Sequence, residues 1–459
     1  MTAFGRCAMV SSSDSERLPS EARILRWWIV VCVLVGLGLC FSQILEIPAR
    51  SALRGYDNTF NYLWLRSAMV DGDWDFRNDL EACNTLAPAY RASALSLPVT
   101  ATGRIPNKYG IGWSVVTLPF YLVADLLTSA AGSLNLFAYK NDGFTPVYQI
   151  CIQLGHVALA ILALWMAVET ISTWIGNKQA AAAAVVTVWA ASPLIYYQSV
   201  NISMSHGAAF FAVTLMAYSL TRGRTAATAW RWWALAGGAF GLAITVRYQL
   251  VVFIAPALWQ LWRSKLEATP RIRAAGAFLM GAVPLAILQL FAWSRVYGDW
   301  FVFSYGVEGE SFDWIKPEVF GSLLSSWHGL FYWHPFLLLG VAGMLAWAWR
   351  SSVEAKVWAL LFGLIVYVNS AWWCWWFASS FGNRGYDAAL LPVMAGAAWL
   401  LQRARGGERM LFWTAAMTLG LWNFYVVLLY RTGAISRNEP VAWWDMIEAV
   451  GRLGEATKF

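Results

Sequence analysis

A carboxylate, a lysine and two arginines stand out in this chain, because each borders or interrupts an apolar run where charge is costly. Asp57 lies in Gly55-Tyr56-Asp57-Asn58-Thr59-Phe60-Asn61, just beyond the first long apolar run. A carboxylate at such a boundary can act as a general base toward a substrate held there, and it can also cap the helical stretch Phe60–Val70. Lys108, in Asn107-Lys108-Tyr109-Gly110-Ile111-Gly112-Trp113, suits an interfacial anchor or a contact to phosphate. Arg247 stands between two apolar runs in Thr245-Val246-Arg247-Tyr248-Gln249. A guanidinium left at the bilayer centre costs at least about 2.5 kcal/mol, so this one must reach a cavity, a turn or water. Anchoring and function are balanced readings for it. Arg384 follows the aromatic run Trp372-Trp373-Cys374-Trp375-Trp376, within Gly382-Asn383-Arg384-Gly385-Tyr386-Asp387. An aromatic wall followed by a glycine-flanked arginine suits a flat ligand carrying an anion. A belt of interfacial tryptophans is the competing use for the rings, Trp375 included.

The remaining candidates are weaker on spacing. His206, in Ser203-Met204-Ser205-His206-Gly207, and His334, in Gly329-Leu330-Phe331-Tyr332-Trp333-His334-Pro335, each fall at a helix end on the same side as Asp57. His156 sits inside a span and reads as a packing residue. The four histidines share no local spacing, so no metal motif is expected. The run Asp71-Gly72-Asp73-Trp74-Asp75 departs from a calcium loop at its sixth position, Phe76, and its twelfth, Ala82. It is expected to be a solvated turn. The six cysteines (Cys7, Cys32, Cys40, Cys83, Cys151 and Cys374) show no paired spacing, and neither a disulfide framework nor a zinc site is implied.

The elements that must position these residues are transmembrane helices. Of the 459 residues 59% are hydrophobic and 13% charged, too few polar groups to cover a surface in water. The expected fold is all-α, a polytopic bundle of about eleven spans with a large first extracytoplasmic loop carrying interfacial helices. Spans are expected near Trp27–Ile47, Val147–Ile171, Gln179–Gln198, Met204–Leu220, Trp232–Val246, Leu250–Trp262, Ala274–Trp293, Phe331–Trp349, Val357–Trp376, Ala388–Leu401 and Leu411–Tyr430. Residues 1–26 form a polar cytoplasmic tail, 27–430 the membrane domain with the first outer loop at 48–110, and 431–459 an outer tail. Four basic clusters fall at alternate span ends: Arg222/Arg224/Arg231, Arg263/Lys265/Arg271/Arg273, Arg350/Lys356 and Arg403/Arg405/Arg409. Placing them in the cytoplasm satisfies the positive-inside rule and puts the candidates outside. Parity then requires Ile111–Leu127 to be re-entrant or interfacial. The net charge of +7 sits in these short loops and does not indicate nucleic acid.

Taken in order, Gly55-Tyr56-Asp57, Lys108 through Trp113, Gly329 through Pro335 and Trp375 through Arg384 resemble segments of the GT-C superfamily of membrane glycosyltransferases. The likeness is to its protein O-mannosyltransferase and aminoarabinose-transferase type. It implies a polyprenyl-phosphate-linked sugar as donor, transfer at the outer face of a bacterial inner membrane, and no cofactor or metal. Asp57 would be the catalytic base, with substrate bound by Lys108, Tyr109, Arg247, Arg384, His206, His334 and Trp375. The chain departs from the family pattern at Asn58, where many relatives carry a second acidic residue, and at Tyr109-Gly110, where they carry two prolines. A phosphate leaving group needs cations and no general acid, so one carboxylate supports direct displacement with inversion. The acceptor, a lipid, glycan or protein, is left open. A transporter or lipid flippase is the rival class, and a scaffold for envelope enzymes the third. A transport site belongs near the midplane, often between repeated halves, and no repeat is visible.

Overall fold

The computed structural model describes residues 18–47, 53, 55–83, 86–134, 141–224, 229–263, 268–350 and 353–452. Most of the polar N-terminal tail, Cys7, Lys265 and residues 453–459 therefore lie outside the described residues. The chain enters with α1 (Leu18–Glu46), forms three short helices in the site-bearing loop, α2 (Tyr56–Arg66), α3 (Phe76–Ala82) and α4 (Pro88–Leu95), and continues after it with the longer α5 (Gly112–Ser133). A central group follows: α6 (Pro146–Ile175), α7 (Lys178–Ala190), α8 (Leu194–Ser199), α9 (Ser205–Arg222), α10 (Ala229–Val246), α11 (Ile254–Arg263) and α12 (Ala268–Tyr297). The last third comprises α13 (Val319–Leu324), α14 (Leu330–Trp333), α15 (Phe336–Arg350), α16 (Val353–Ala371), α17 (Leu390–Arg403), α18 (Gly407–Thr432) and α19 (Trp443–Glu448). Among the described residues no strand forms; one isolated bridge joins Phe312 to Trp372.

Among the described residues six helices are long and apolar enough to cross a membrane: α1, α5, α6, α12, α16 and α18. Val33, Leu34, Leu37 and Phe41 of α1, and Leu279, Met280, Val283 and Ile287 of α12, are exposed, as on helices that face lipid. The other expected spans are shorter. α9 and α17 are buried nearly all round, so protein rather than lipid surrounds them. Small residues let backbones close up where no hydrophobic effect drives helices together. A Cβ at Gly237 of α10 would fall 1.8 Å from the Phe278 carbonyl oxygen of α12, and one at Gly281 would fall 2.0 Å from that of Ala234.

The segment expected to be re-entrant or interfacial is α5, a 22-residue helix whose length alone would let it cross. Its contacts with α6 fall on the first part of that helix. Trp113 stacks on His156, Thr117 shares a 2.8 Å hydrogen bond with His156, and Tyr121 and Asp125 meet Tyr148. It thus lies beside the end of α6 nearest the first loop. The basic clusters occupy the opposite end of the bundle from the site: α9 runs from His206 to Arg222, and α17 from the Arg384 turn to Arg403. Arg224, just past α9, pairs there with Glu354 at the start of α16.

The first loop is braced by one buried cation. Arg66, at the end of α2, pairs with Asp71 and, at 2.6 Å, with Asp79, and its Nε donates to the Asp142 carbonyl (3.1 Å). The Asp71–Asp75 run is a turn, as expected: Asp73 accepts from Ser67 (3.0 Å), and Asp75 caps α3 by accepting from the Arg77 amide. Asp79 is fully buried, and burial pushes its carboxyl up to about 6 even though Arg66 pulls it down. Replacing Arg66 with Met strands that carboxylate, at a cost of about 3–5 kcal/mol. We expect Arg66→Met to lose its monodisperse peak in detergent at a lower temperature than wild type, and Arg66→Met/Asp79→Asn to recover part of the difference. Equal melting of all three proteins would remove this brace from the account.

Candidate active site

The site is built where the first loop meets the ends of α10 and α16. Two glycines make the approach possible. A Cβ at Gly110 would lie 1.9 Å from the Thr245 carbonyl oxygen, and one at Gly112 would lie 2.5 Å from the Thr245 carbonyl carbon. Only hydrogen at these positions lets the strip carrying Lys108 lie against the end of α10, beside Arg247. The strip is pinned from several sides. Asn107 Nδ2 donates to the Phe60 carbonyl (2.8 Å), Ser304 Oγ to the Lys108 carbonyl (2.7 Å), Trp64 Nε1 to the Tyr109 carbonyl (2.9 Å), and the Ile111 amide to Gln289 Oε1 (2.8 Å).

Asp57 lies in the first turn of α2, but its carboxylate does not cap that helix. The N-cap is Gly55, at φ +96°, and Asp57 turns across to the loop and the C-terminal half. Tyr109 Oη donates to Asp57 Oδ1, and Arg384 Nη2 donates to Oδ2 at 3.0 Å. Lys108 is held by two carboxylates, Glu308 at 2.6 Å and Glu310 at 3.0 Å, with the rings of Tyr56, Tyr109 and Tyr305 about its ammonium. Burial alone would lower the Lys108 pKa, but the two glutamates more than reverse this and the net direction is upward. Burial raises that of Glu310, against the pull of Lys108.

Arg247 differs from the other two cations. Its Nη1 lies 2.8 Å from His206 Nδ1 and 3.0 Å from Nε2, and the Gln249 amide oxygen, in the orientation that satisfies both groups, accepts from its Nη2 at 2.6 Å. Among the described residues it forms no ion pair, so its charge is available to an incoming anion.

These groups share one cavity of about 790 Å³. Asp57, Lys108, Tyr109, His206, Arg247 and Arg384 all line it, together with Glu310 and Tyr305. Its apolar wall includes Phe301, Phe303, Trp314 and Trp373, which are also exposed on the outside of the fold. His334 and Trp375 are not among the lining residues; they support the turn that delivers Arg384. His334 is buried beneath Gly382, where a Cβ would lie 2.0 Å from its Nε2, and its Nδ1 meets Asn423 Oδ1 at 3.0 Å. The Trp375 carbonyl accepts from Asn383 Nδ2 (3.0 Å), and its ring packs against Gly321 and Trp327. Phe377 and Ala378, in the same stretch, hold φ of +59° and +50°, a strained conformation for residues with a Cβ at the cavity wall. Among the described residues no group of three His, Cys, Asp or Glu side chains is placed to hold a metal ion, and Cys32, Cys40, Cys151 and Cys374 are free thiols.

Sequence reading missed Glu308 and Glu310. The signal was there: two acidic residues around one glycine, Glu308-Gly309-Glu310, between two expected spans. What it lacked was a partner, because Lys108 lies 200 positions away.

No protein-family model matches the sequence, and no curated protein matches it. Among solved structures, the fold is similar to that of ArnT from Cupriavidus metallidurans bound to undecaprenyl phosphate, at a TM-score of 0.47 and 15% identity over 94% of this chain and 71% of that one. A likeness of that size leaves the functional reading to rest on the residues of the cavity.

Accessibility of the cavity can be measured directly. In a background without native cysteines, Val302→Cys, on the cavity wall, is expected to react with a membrane-impermeant maleimide in intact cells, whereas Leu337→Cys, fully buried in α15, is expected to stay unlabelled. Labelling of Val302→Cys only after the membrane is opened would place the cavity on the cytoplasmic side.

Proposed function

We propose that this chain is a membrane glycosyltransferase that moves a sugar from a polyprenyl-phosphate carrier to an acceptor hydroxyl at the outer face of the membrane. The observation that carries the reading is one cavity holding a fixed carboxylate, Asp57, an arginine without an ion pair among the described residues, Arg247, and an apolar wall that reaches the surface of the fold. A phosphate bearing a prenyl chain presents a matching set of chemistries: an anion for Arg247 and a hydrocarbon tail for Phe301, Phe303 and Trp314. The outer placement is supported by the basic clusters at the far end of the bundle, which belong in the cytoplasm under the positive-inside rule.

The reaction read from these groups is a single displacement. The acceptor oxygen attacks the anomeric carbon as the bond from that carbon to the phosphate oxygen breaks, and the configuration inverts. The acceptor proton passes to Asp57, and the electron pair leaves with the polyprenyl phosphate. Arg384 and Tyr109 hold one carboxylate oxygen each, which fixes the orientation of the base. Charge builds on the departing phosphate, and preorganised cations stabilise it without the reorganisation that water requires. Lys108 reaches that phosphate only by exchanging Glu308 and Glu310 for it, whereas Arg247 has nothing charged to release. The acceptor is a hydroxyl of a lipid, glycan or protein, and no nucleotide enters the scheme.

Lipid extracts provide the test. Cells lacking the protein are expected to accumulate a glycosylated polyprenyl phosphate, visible by mass spectrometry, that clears on restoring the wild type. Asp57→Asn, expressed at the same level, should reduce turnover by about 10²–10⁴-fold, the range for loss of a general base. An unchanged lipid pool in the deletion would move the transporter or scaffold reading ahead; clearance by Asp57→Asn as fast as by wild type would remove Asp57 as the base.

A further inference from the structure

We infer that Asn61 and Asn369 form a sugar subsite beside Asp57 that selects a donor whose sugar carries free, uncharged hydroxyl groups; this rests on the donor reading above. Six asparagines are buried among the described residues: Asn58, Asn61, Asn107, Asn369, Asn383 and Asn423. Four of them stand off the cavity with their amides bonded inside the protein. Asn58 Nδ2 donates to Asn201 Oδ1 (2.7 Å), and Asn107, Asn383 and Asn423 each donate through Nδ2 and accept through Oδ1. Asn61 and Asn369 differ in both respects. They line the cavity, and each keeps a buried amide atom, Oδ1 of Asn61 and Nδ2 of Asn369, without a hydrogen-bond partner among the described residues.

Their places follow from the helices that carry them. Asp57 and Asn61 are four residues apart on α2, so they share one face of that helix, and both line the cavity. Asn61 Nδ2 donates to the Ser203 carbonyl (3.4 Å), which turns the amide so that Oδ1 is left over. Asn369 occupies the last turn of α16, against the turn that delivers Arg384: a Cβ at Gly385 would lie 2.8 Å from its Nδ2. Arg384 in turn holds Asp57 at 3.0 Å, so one amide reaches the base from the first loop and the other from the last third of the chain. An amide atom left unpaired in the interior is costly, and a ligand that pairs it recovers that cost. A hydroxyl can donate to Asn61 Oδ1 or accept from Asn369 Nδ2, whereas a prenyl chain can do neither. Glu310 Oε2 is a further unpartnered acceptor on the same cavity, its other oxygen being held by Lys108. Neither amide can neutralise a charge, so the pair reads hydroxyls, and a site built to bond a hydroxyl rejects a ligand that lacks it.

Displacement of tritiated undecaprenyl phosphate from the purified full-length chain in detergent tests this. The competitors are undecaprenyl-phosphoryl glucose, mannose and galactose, with methyl undecaprenyl phosphate as the diester of equal charge that carries no sugar. At least one of the three glycosyl lipids is expected to displace the label about a hundredfold better than the methyl diester. Asn61→Leu and Asn369→Leu should each remove about tenfold of that preference, and the double variant all of it, because the two amides meet different hydroxyls. The methyl diester should stay within twofold of wild type throughout, since a purely structural loss weakens both kinds of lipid alike. Where a leucine variant fails to give a monodisperse protein, the alanine variant, which leaves space instead of bulk, is held to the same criteria. No wild-type preference for any glycosyl lipid, variants that keep the preference, or equal losses for methyl and glycosyl lipids would overturn the inference. A wild type that does not bind tritiated undecaprenyl phosphate removes the donor reading and the subsite with it, whereas binding of that lipid without a sugar preference removes the subsite alone.

Discussion

Charges gathered where water is scarce must neutralise one another, and this constraint ties the two halves of the chain together. Attraction between opposite charges strengthens as the surroundings become less polarisable, and so does the cost of leaving either alone. Asp57 belongs to the first loop and Arg384 to the turn before α17; Lys108 ends that loop, and Glu308 and Glu310 follow α12. Each pair spans hundreds of residues of sequence and closes the same cavity. The charged groups thus position the elements as much as the elements position them. The 311–318 segment adds a backbone seam, with Asp313 N donating to the Ala371 carbonyl (2.7 Å) and Glu318 N to that of Ser370 (2.8 Å). That seam keeps the glutamates beside the aromatic wall at the end of α16.

The same constraint distinguishes the three cations. Lys108 and Arg384 are satisfied by carboxylates before any ligand arrives, and an anion must compete for them. Arg247 is satisfied by neutral acceptors, which keep it hydrogen-bonded without discharging it. A hydrogen-bonded charge of this kind can bind an anion without first breaking an ion pair, so affinity is not consumed in a rearrangement. The cation whose function and anchoring were balanced on sequence grounds is therefore the one whose surroundings point most directly at a ligand.

The bundle was legible because apolar runs of about 20 residues have few alternatives. Most of the eleven expected spans coincide with helix, although Gln179–Gln198 is broken between α7 and α8 at Ala191–Pro193, Phe331–Trp349 is broken at His334–Pro335, Leu250–Trp262 opens with a 3₁₀ turn, and Val357–Trp376 overruns α16, which ends at Ala371. Helices surrounded by protein, such as α9 and α17, need not span the full hydrocarbon thickness, so length alone does not separate them from lipid-facing ones. Asp57, Lys108, Arg247 and Arg384 were legible because charge beside apolar sequence is rare enough to need a reason. His334 and Trp375 sit in motifs just as conspicuous, yet they serve the Arg384 turn from behind. Sequence shows that a segment is special without showing which side of the backbone faces the ligand.

Glu308 and Glu310 were harder to read for a different reason. A carboxylate in an outer segment has a ready explanation as a solvated side chain, and nothing local reveals that Lys108 will stand against it. The closure of Gly110 and Gly112 onto α10 seats Lys108 of the first loop where Glu308 and Glu310 meet it. Two glycines thereby determine which distant charges can meet. Restoring a Cβ at Gly110 would force the Thr245 backbone away and separate Lys108 from the end of α10 without altering a single charged residue.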